Sequence, residues 1–119
     1  MAKSFKDLIV WQKSMELAAG VYALVKFLPK EETYALSDQI RRAAVSVPSN
    51  IAEGHARQST KEFVQFLCIA RGSRAELETQ LLLAKALGYF DAVDSQQLEH
   101  VFRLSDEVSK MLYSLTTNR

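Results

Sequence analysis

Glycine and proline are scarce in this chain: four and two among 119 residues. A many-stranded fold needs turn residues roughly every 8–12 positions, and that supply is missing, so a few long helices are expected. There is one cysteine, Cys68, which rules out a disulfide within the chain and fits a reducing compartment. No stretch reaches the roughly 18 consecutive apolar residues of a membrane span. The first residues, MAKSFKDLIVWQKSM, lack an apolar run ahead of a small-residue cleavage site. We therefore expect no signal peptide, no membrane partner and a cytoplasmic protein. An excess of one charge is missing too. Fifteen Lys and Arg face fourteen Asp and Glu, for a net +1. That is not the footprint of a protein that wraps a phosphate backbone. The lysines of the first thirty residues, Lys6, Lys13 and Lys26 among them, read as solvated surface.

Apolar residues make up 48% of the chain, enough for one core. Their spacing and punctuation predict four helices, at about 6–28, 34–57, 60–87 and 95–115. In the first, Leu8, Trp11, Met15, Ala18, Tyr22 and Val25 form a seam at heptad spacing. A second row, Leu17, Val21, Leu24 and Leu28, lies beside it and suggests a wide core face or a subunit contact. Ser4 with Asp7 resembles a capping box, and Pro29 ends the helix. In the second helix the core row is Leu36, Ile40, Ala44, Val47 and Ile51. Pro48 lies inside it and predicts a kink or local break. Ser59 and Glu62 form a capping box for the third, whose core row runs Phe63, Phe66, Ala70, Leu77, Leu81, Ala84. Gly88 stands where a terminating glycine belongs. The row Cys68, Gly72, Ala75, Thr79 is entirely small and reads as tight packing, with Cys68 buried. Asp94 starts the fourth helix, seamed by Leu98, Val101, Ser105, Val108, Leu112 and Leu115, and residues from Thr116 onward fray. Short connections make sequential helices antiparallel neighbours. The fold class is all-α: an antiparallel up-down-up-down four-helix bundle, one domain over residues 1–119.

Residues that carry chemistry are few. His55 and His100 lie on different helices, and neither has a histidine or cysteine three or four positions on. No metal site and no cofactor are expected. Gly72 belongs to no phosphate-binding loop, and SVPS has no lysine close by. Nothing points to an enzyme, unless a site forms between subunits.

The stretch QIRRAAVSVPSNIAEG, residues 39–54, is the most unusual. It holds two arginines, a proline, a glycine and small polar residues on one predicted helix. Arg42 and Glu53 are about three turns apart, too far to pair with one another. Each must find a partner on another helix, and Arg71, Arg74, Glu76 and Glu78 are available. The structural reading is an inter-helix polar lock. The functional reading is a nucleic-acid or anion patch of Arg41, Arg42, Arg71 and Arg74. Charge balance favours the lock.

The motifs WQK, QIRRA, SVPSNIAEG and ARGSRAE, in that order, resemble the 23S rRNA-intervening-sequence protein family. The resemblance spans about residues 5–89. It implies a four-helix bundle, a bacterial source and a homopentamer built as a barrel around a channel. The family name records where some members are encoded and states no activity. The resemblance extends to the accessory variability proteins of diversity-generating retroelements, which are strongly basic, bind RNA or DNA and partner a reverse transcriptase. Positions carried over from the family pattern are Arg41, Arg42, Asn50, Glu53, Gly54, Arg71, Gly72, Ser73 and Glu76. The expectation is a non-enzymatic homo-oligomer acting as an interaction or scaffold protein. The alternative is a nucleic-acid-binding accessory factor.

Overall fold

In the computed structural model, which describes residues 3–117, a short 3-10 turn at Phe5–Asp7 precedes the first long helix. The helices are α1 (Ile9–Val25), α2 (Leu36–His55), α3 (Thr60–Ala86) and α4 (Ser95–Thr117). A second 3-10 turn, Lys30–Glu32, lies between α1 and α2. Contacts run α1 to α2, α2 to α3, α3 to α4 and α4 back to α1. This is the square of an up-down-up-down four-helix bundle.

The boundaries differ from the sequence pattern for local reasons. Residues 6–8 are not part of α1. Ser4 Oγ accepts the Lys6 amide, capping the 3-10 turn, and Leu8 is extended. The Lys6 carbonyl takes a bond from Gln12 Nε2 at 2.8 Å instead of continuing a helix. Helix α1 also stops at Val25, three residues before the expected end. Its last turn tightens through Phe27 to Leu24 and Leu28 to Val25 bonds ahead of Pro29. Helix α2 continues through Pro48, so the chain stays helical there. Helix α4 does not fray at Thr116. Thr116 is buried and donates to the Leu112 carbonyl at 2.7 Å.

Two terminal signals behave as their chemistry requires. Ser59 Oγ accepts the Glu62 amide at 3.1 Å, and the Glu62 carboxylate accepts the Ser59 hydroxyl at 3.2 Å. Gly88 has φ +82°, and its neighbours complete a Schellman end: Gly88 to Lys85 and Tyr89 to Ala84.

The core holds the expected α2 row, with Ile40, Val47 and Ile51 fully buried. On α1 the second row supplies most of the core, and Val25 is the buried member of the first. Val10, Ser14, Leu17, Val21 and Leu24 face the core, and Trp11, Met15, Ala18 and Tyr22 face outward or lie at its edge. Ser14 hides the true row in the sequence. Its hydroxyl is satisfied by the Val10 carbonyl at 2.7 Å, so a polar residue sits in the core at no desolvation loss. On α3 the small row is also misplaced. Cys68, Gly72, Ala75 and Thr79 are exposed, and a methyl added at Gly72 meets nothing within 4 Å. Helix α3 is apolar around most of its circumference, so periodicity could not choose its inner face. The tight approach to α3 is made from α2, at Gly54. A Cβ there would lie 2.6 Å from the Phe66 Cβ.

A pair of charges joins α1 to α4. Lys13 Nζ lies 2.9 Å from Glu107 Oε2. That hydrogen bond is the main reason Glu107 is held below the usual carboxylate range and Lys13 above the usual lysine range. A lowered folded-state value means Glu107 adds stability above the unfolded carboxylate pKa and loses it as acid titrates the folded protein. The raised Lys13 value adds stability below the unfolded lysine pKa and loses it as pH rises through the folded value. Both groups are about one-third exposed to solvent, so screening keeps the contribution small. The stability gap between the parent and Glu107→Gln should shrink as pH falls below about 4, read from urea melts.

Candidate functional site

The polar residues of the 39–54 stretch divide among several places. Between α2 and α3 they form a hydroxyl and amide contact. Ser46 Oγ and Ser73 Oγ are 2.8 Å apart. Asn50 Nδ2 donates to the Ser46 carbonyl at 2.8 Å and to Ser46 Oγ at 2.9 Å. One helical turn on, Gly54 admits Phe63 and Phe66. The bridge between these helices is therefore neutral and short.

The ionic partners are not where the sequence reading put them. Arg42 bonds Asp38 on its own helix at 3.1 Å, with its side chain 81% exposed. Glu53 pairs with Arg57, again one turn away, at 2.9 Å. Neither reaches another helix, because a partner at i+4 on the same surface is closer than any on α3. The arginines of α3 do cross to a neighbour, but to hydroxyls of α4. Arg71 donates to Thr116 Oγ1 at 3.0 Å and lies over the Tyr113 ring. Arg74 donates to Ser105 Oγ at 3.0 Å and pairs with Glu78. Glu76 stays exposed beside a cleft between α2 and α3 that Arg42 and Gln80 also line. Gln80 Oε1 is buried there without a partner among the described residues.

The four arginines do not form one patch. Arg41 and Arg42 lie along the α1–α2 side, near Tyr22. Arg71 and Arg74 lie on the α3–α4 side, in a polar cleft with Cys68 and Ser109. Three of the four have bonds to other elements: Arg41 donates to the Thr33 carbonyl, Arg71 to Thr116 and Arg74 to Ser105.

Two apolar surfaces stand without cover. One is a cleft of about 460 Å³ between α1 and α2, lined by Trp11, Met15, Ala18, Tyr22, Val45 and Pro48. Met15, Tyr22 and Val45 are each close to half exposed. The other is the outward face of α3, with Ile69, Gly72, Ala75, Leu82, Leu83 and Leu87, all exposed. Ile69, Leu82, Leu83 and Leu87 make this face apolar, while Gly72 and Ala75 also border the polar cleft of Arg71 and Arg74, and Glu76 lies exposed beside them.

A contact without any local sequence signal ties the ends of the two long connections. Glu32 Oε1 accepts the Leu36 amide, capping α2, and Glu32 Oε2 accepts the Tyr89 hydroxyl at 2.8 Å. That hydrogen bond, with burial, pushes the Tyr89 phenol above its usual range. Its residues are 57 apart in sequence, so no local pattern reports it.

Comparison with known proteins adds the lineage. The family described as 23S rRNA-intervening sequence protein matches residues 6–114. The chain belongs to that family. A solved structure from Bacteroides thetaiotaomicron VPI-5482, described as a protein with unknown function from the S23 ribosomal protein family, shares 33% identity with it. The match covers 92% of this chain and 99% of that one, with a TM-score of 0.79. No curated protein matches. The family span takes in the Ser46–Ser73–Asn50 contact, Gly54 and both apolar surfaces. Among the described residues, no group of three or more His, Cys, Asp or Glu is placed to hold a metal ion. No helix among them is long and apolar enough to cross a membrane.

Proposed function

We propose that this protein works by assembling with copies of itself, as a non-enzymatic scaffold. The observation that carries the reading is the pair of unlike apolar surfaces, the α1–α2 cleft and the outward face of α3. A ring needs a heterologous contact, in which one surface of a subunit covers a different surface of the next. Two distinct apolar faces on one protomer meet that requirement, and a single self-complementary face would suit a dimer instead. The near-neutral charge removes long-range repulsion between identical copies. The ring size is five, as the family resemblance implies. Light-scattering mass on a sizing column tests it. A peak near five times the 13.4 kDa subunit is expected, and a monomer mass at every concentration ends the reading.

The alternative, an RNA- or DNA-binding accessory factor that partners a reverse transcriptase, draws less support. Its four arginines are split between two sides of the bundle, and all four are engaged within the chain. The absorbance ratio at 260 and 280 nm across the same peak separates the readings.

A further inference from the structure

At the corner where α1 passes into α2, a cleft of about 310 Å³ is lined by Lys26, Lys30, Thr33, Ser37, Arg41 and the edge of Tyr22. Three of its side chains are cationic and none is a carboxylate. This concentration is unlike the chain as a whole, where the signs balance. Of the nearby acids, Glu31 is exposed and does not line the cleft, and the other two are occupied elsewhere. Asp38 holds Arg42, and Glu32 holds the Leu36 amide and the Tyr89 hydroxyl. Arg41 is steadied by its bond to the Thr33 carbonyl, which uses one of its five N–H donors.

Ser37 is the second observation. It is 3% exposed, yet its hydroxyl bonds to nothing among the described residues. A serine buried to that degree ordinarily has a partner. The Ser37 oxygen is not sealed in the core, since Gln80 Oε1 is the one fully enclosed side-chain atom without a partner among the described residues. The accessible remnant of Ser37 therefore belongs to the cleft it lines. Ser37 is also in the first turn of α2, a 20-residue helix. The Glu32 carboxylate already takes the Leu36 amide at that helix end, so the cations and Ser37, and not the helix terminus, carry the site.

We propose that this corner is a binding site for a phosphate group carried by a small molecule. Lys26 and Lys30 supply charge, Arg41 supplies a planar fork, and Ser37 donates a hydroxyl bond from the cleft floor. Together they match a compact dianion with several acceptor oxygens. The cations converge on one concavity and do not form a track, so the ligand is a phosphomonoester or free phosphate and not a strand. Tyr22 borders both this cleft and the apolar α1–α2 cleft that the proposed assembly covers, so its ring does not decide between a phosphomonoester and free phosphate.

The test is calorimetric titration with inorganic phosphate, with AMP and with a ten-residue oligothymidylate, ionic strength being matched by chloride. Saturable binding of phosphate and of AMP is expected. Lys26→Glu with Lys30→Glu, at two exposed positions, should weaken both by about tenfold or more. Ser37→Ala should weaken both several-fold, with unchanged far-ultraviolet circular dichroism. Heats that do not saturate, or that the lysine variant leaves unchanged, overturn the proposal. So does an oligonucleotide that binds more tightly than AMP at equal phosphate concentration, since the ligand would then be a strand.

Discussion

Gly54→Ala is expected to destabilise the bundle by about 2 kcal/mol and to lower its Tm by roughly 8 °C. The added methyl carbon would stand 2.6 Å from the Phe66 Cβ and 3.2 Å from the Phe63 carbonyl oxygen. Neither atom is the end of a flexible side chain, so the helices themselves must separate. Overpacking of this kind costs about 1–3 kcal/mol, and the better helix propensity of alanine returns about 1 kcal/mol at most. The steric cost wins because backbone has to move. Gly20→Ala supplies the contrast. Its methyl meets only Val101 Cγ2, at 3.0 Å, and a side-chain methyl can shift by a few tenths of an ångström. There the propensity gain offsets the contact, and little net change is expected. Urea melts of both variants check the pair. Equal effects at the two glycines would show that the α2–α3 approach is no tighter than the α1–α4 approach.

Met15→Glu and Val45→Glu should each break the proposed assembly into monomers while leaving the bundle folded. Both residues are nearly half exposed in the isolated subunit, at 45% and 44%, so neither change burdens the subunit core. Glutamate is also a good helix former. In the assembly each charge would sit unpaired inside an apolar contact, at a cost of about 3 kcal/mol, or more than a hundredfold in dissociation constant. Met15→Leu keeps the surface apolar and should keep the assembly. Light-scattering mass and circular dichroism together read the outcome. Full-mass particles from both glutamate variants would mean that the α1–α2 cleft faces solvent in the assembly too.

The sequence made the bundle legible because its strongest signals are local. The Ser59–Glu62 cap, the Gly88 terminator and the α2 core row each depend on residues within a turn or two. The failures share one cause. Helices α1 and α3 are apolar on more than one side, so period alone cannot say which side is inward. On α1, Ser14 made the true core row look broken, and the aromatic row through Trp11 and Tyr22 looked better. On α3, the small residues suggested close packing where the structure leaves a bare surface. The polar site was legible only in part. Ser73, Asn50 and Gly54 do sit where α2 meets α3. The partners of Arg42 and Glu53 are local, Arg71 and Arg74 bond hydroxyls of α4, and Arg74 also pairs with Glu78 as their i, i+4 spacing implies. The cluster of Lys26, Lys30, Arg41 and Ser37 went unseen because it forms across a bend in the chain, where no repeat marks it.

The close fit at Gly54 also bears on the order in which the chain folds. Helices α2 and α3 share the most extensive contact in the bundle and are joined only by residues 56–59. Closing so short a loop loses little chain entropy, so this hairpin is the natural nucleus, and α1 and α4 dock on it later. Substitutions at the Gly54 crossing should then slow refolding. Substitutions between α1 and α4, such as those at Lys13 and Glu107, should instead hasten unfolding and leave the refolding rate nearly unchanged.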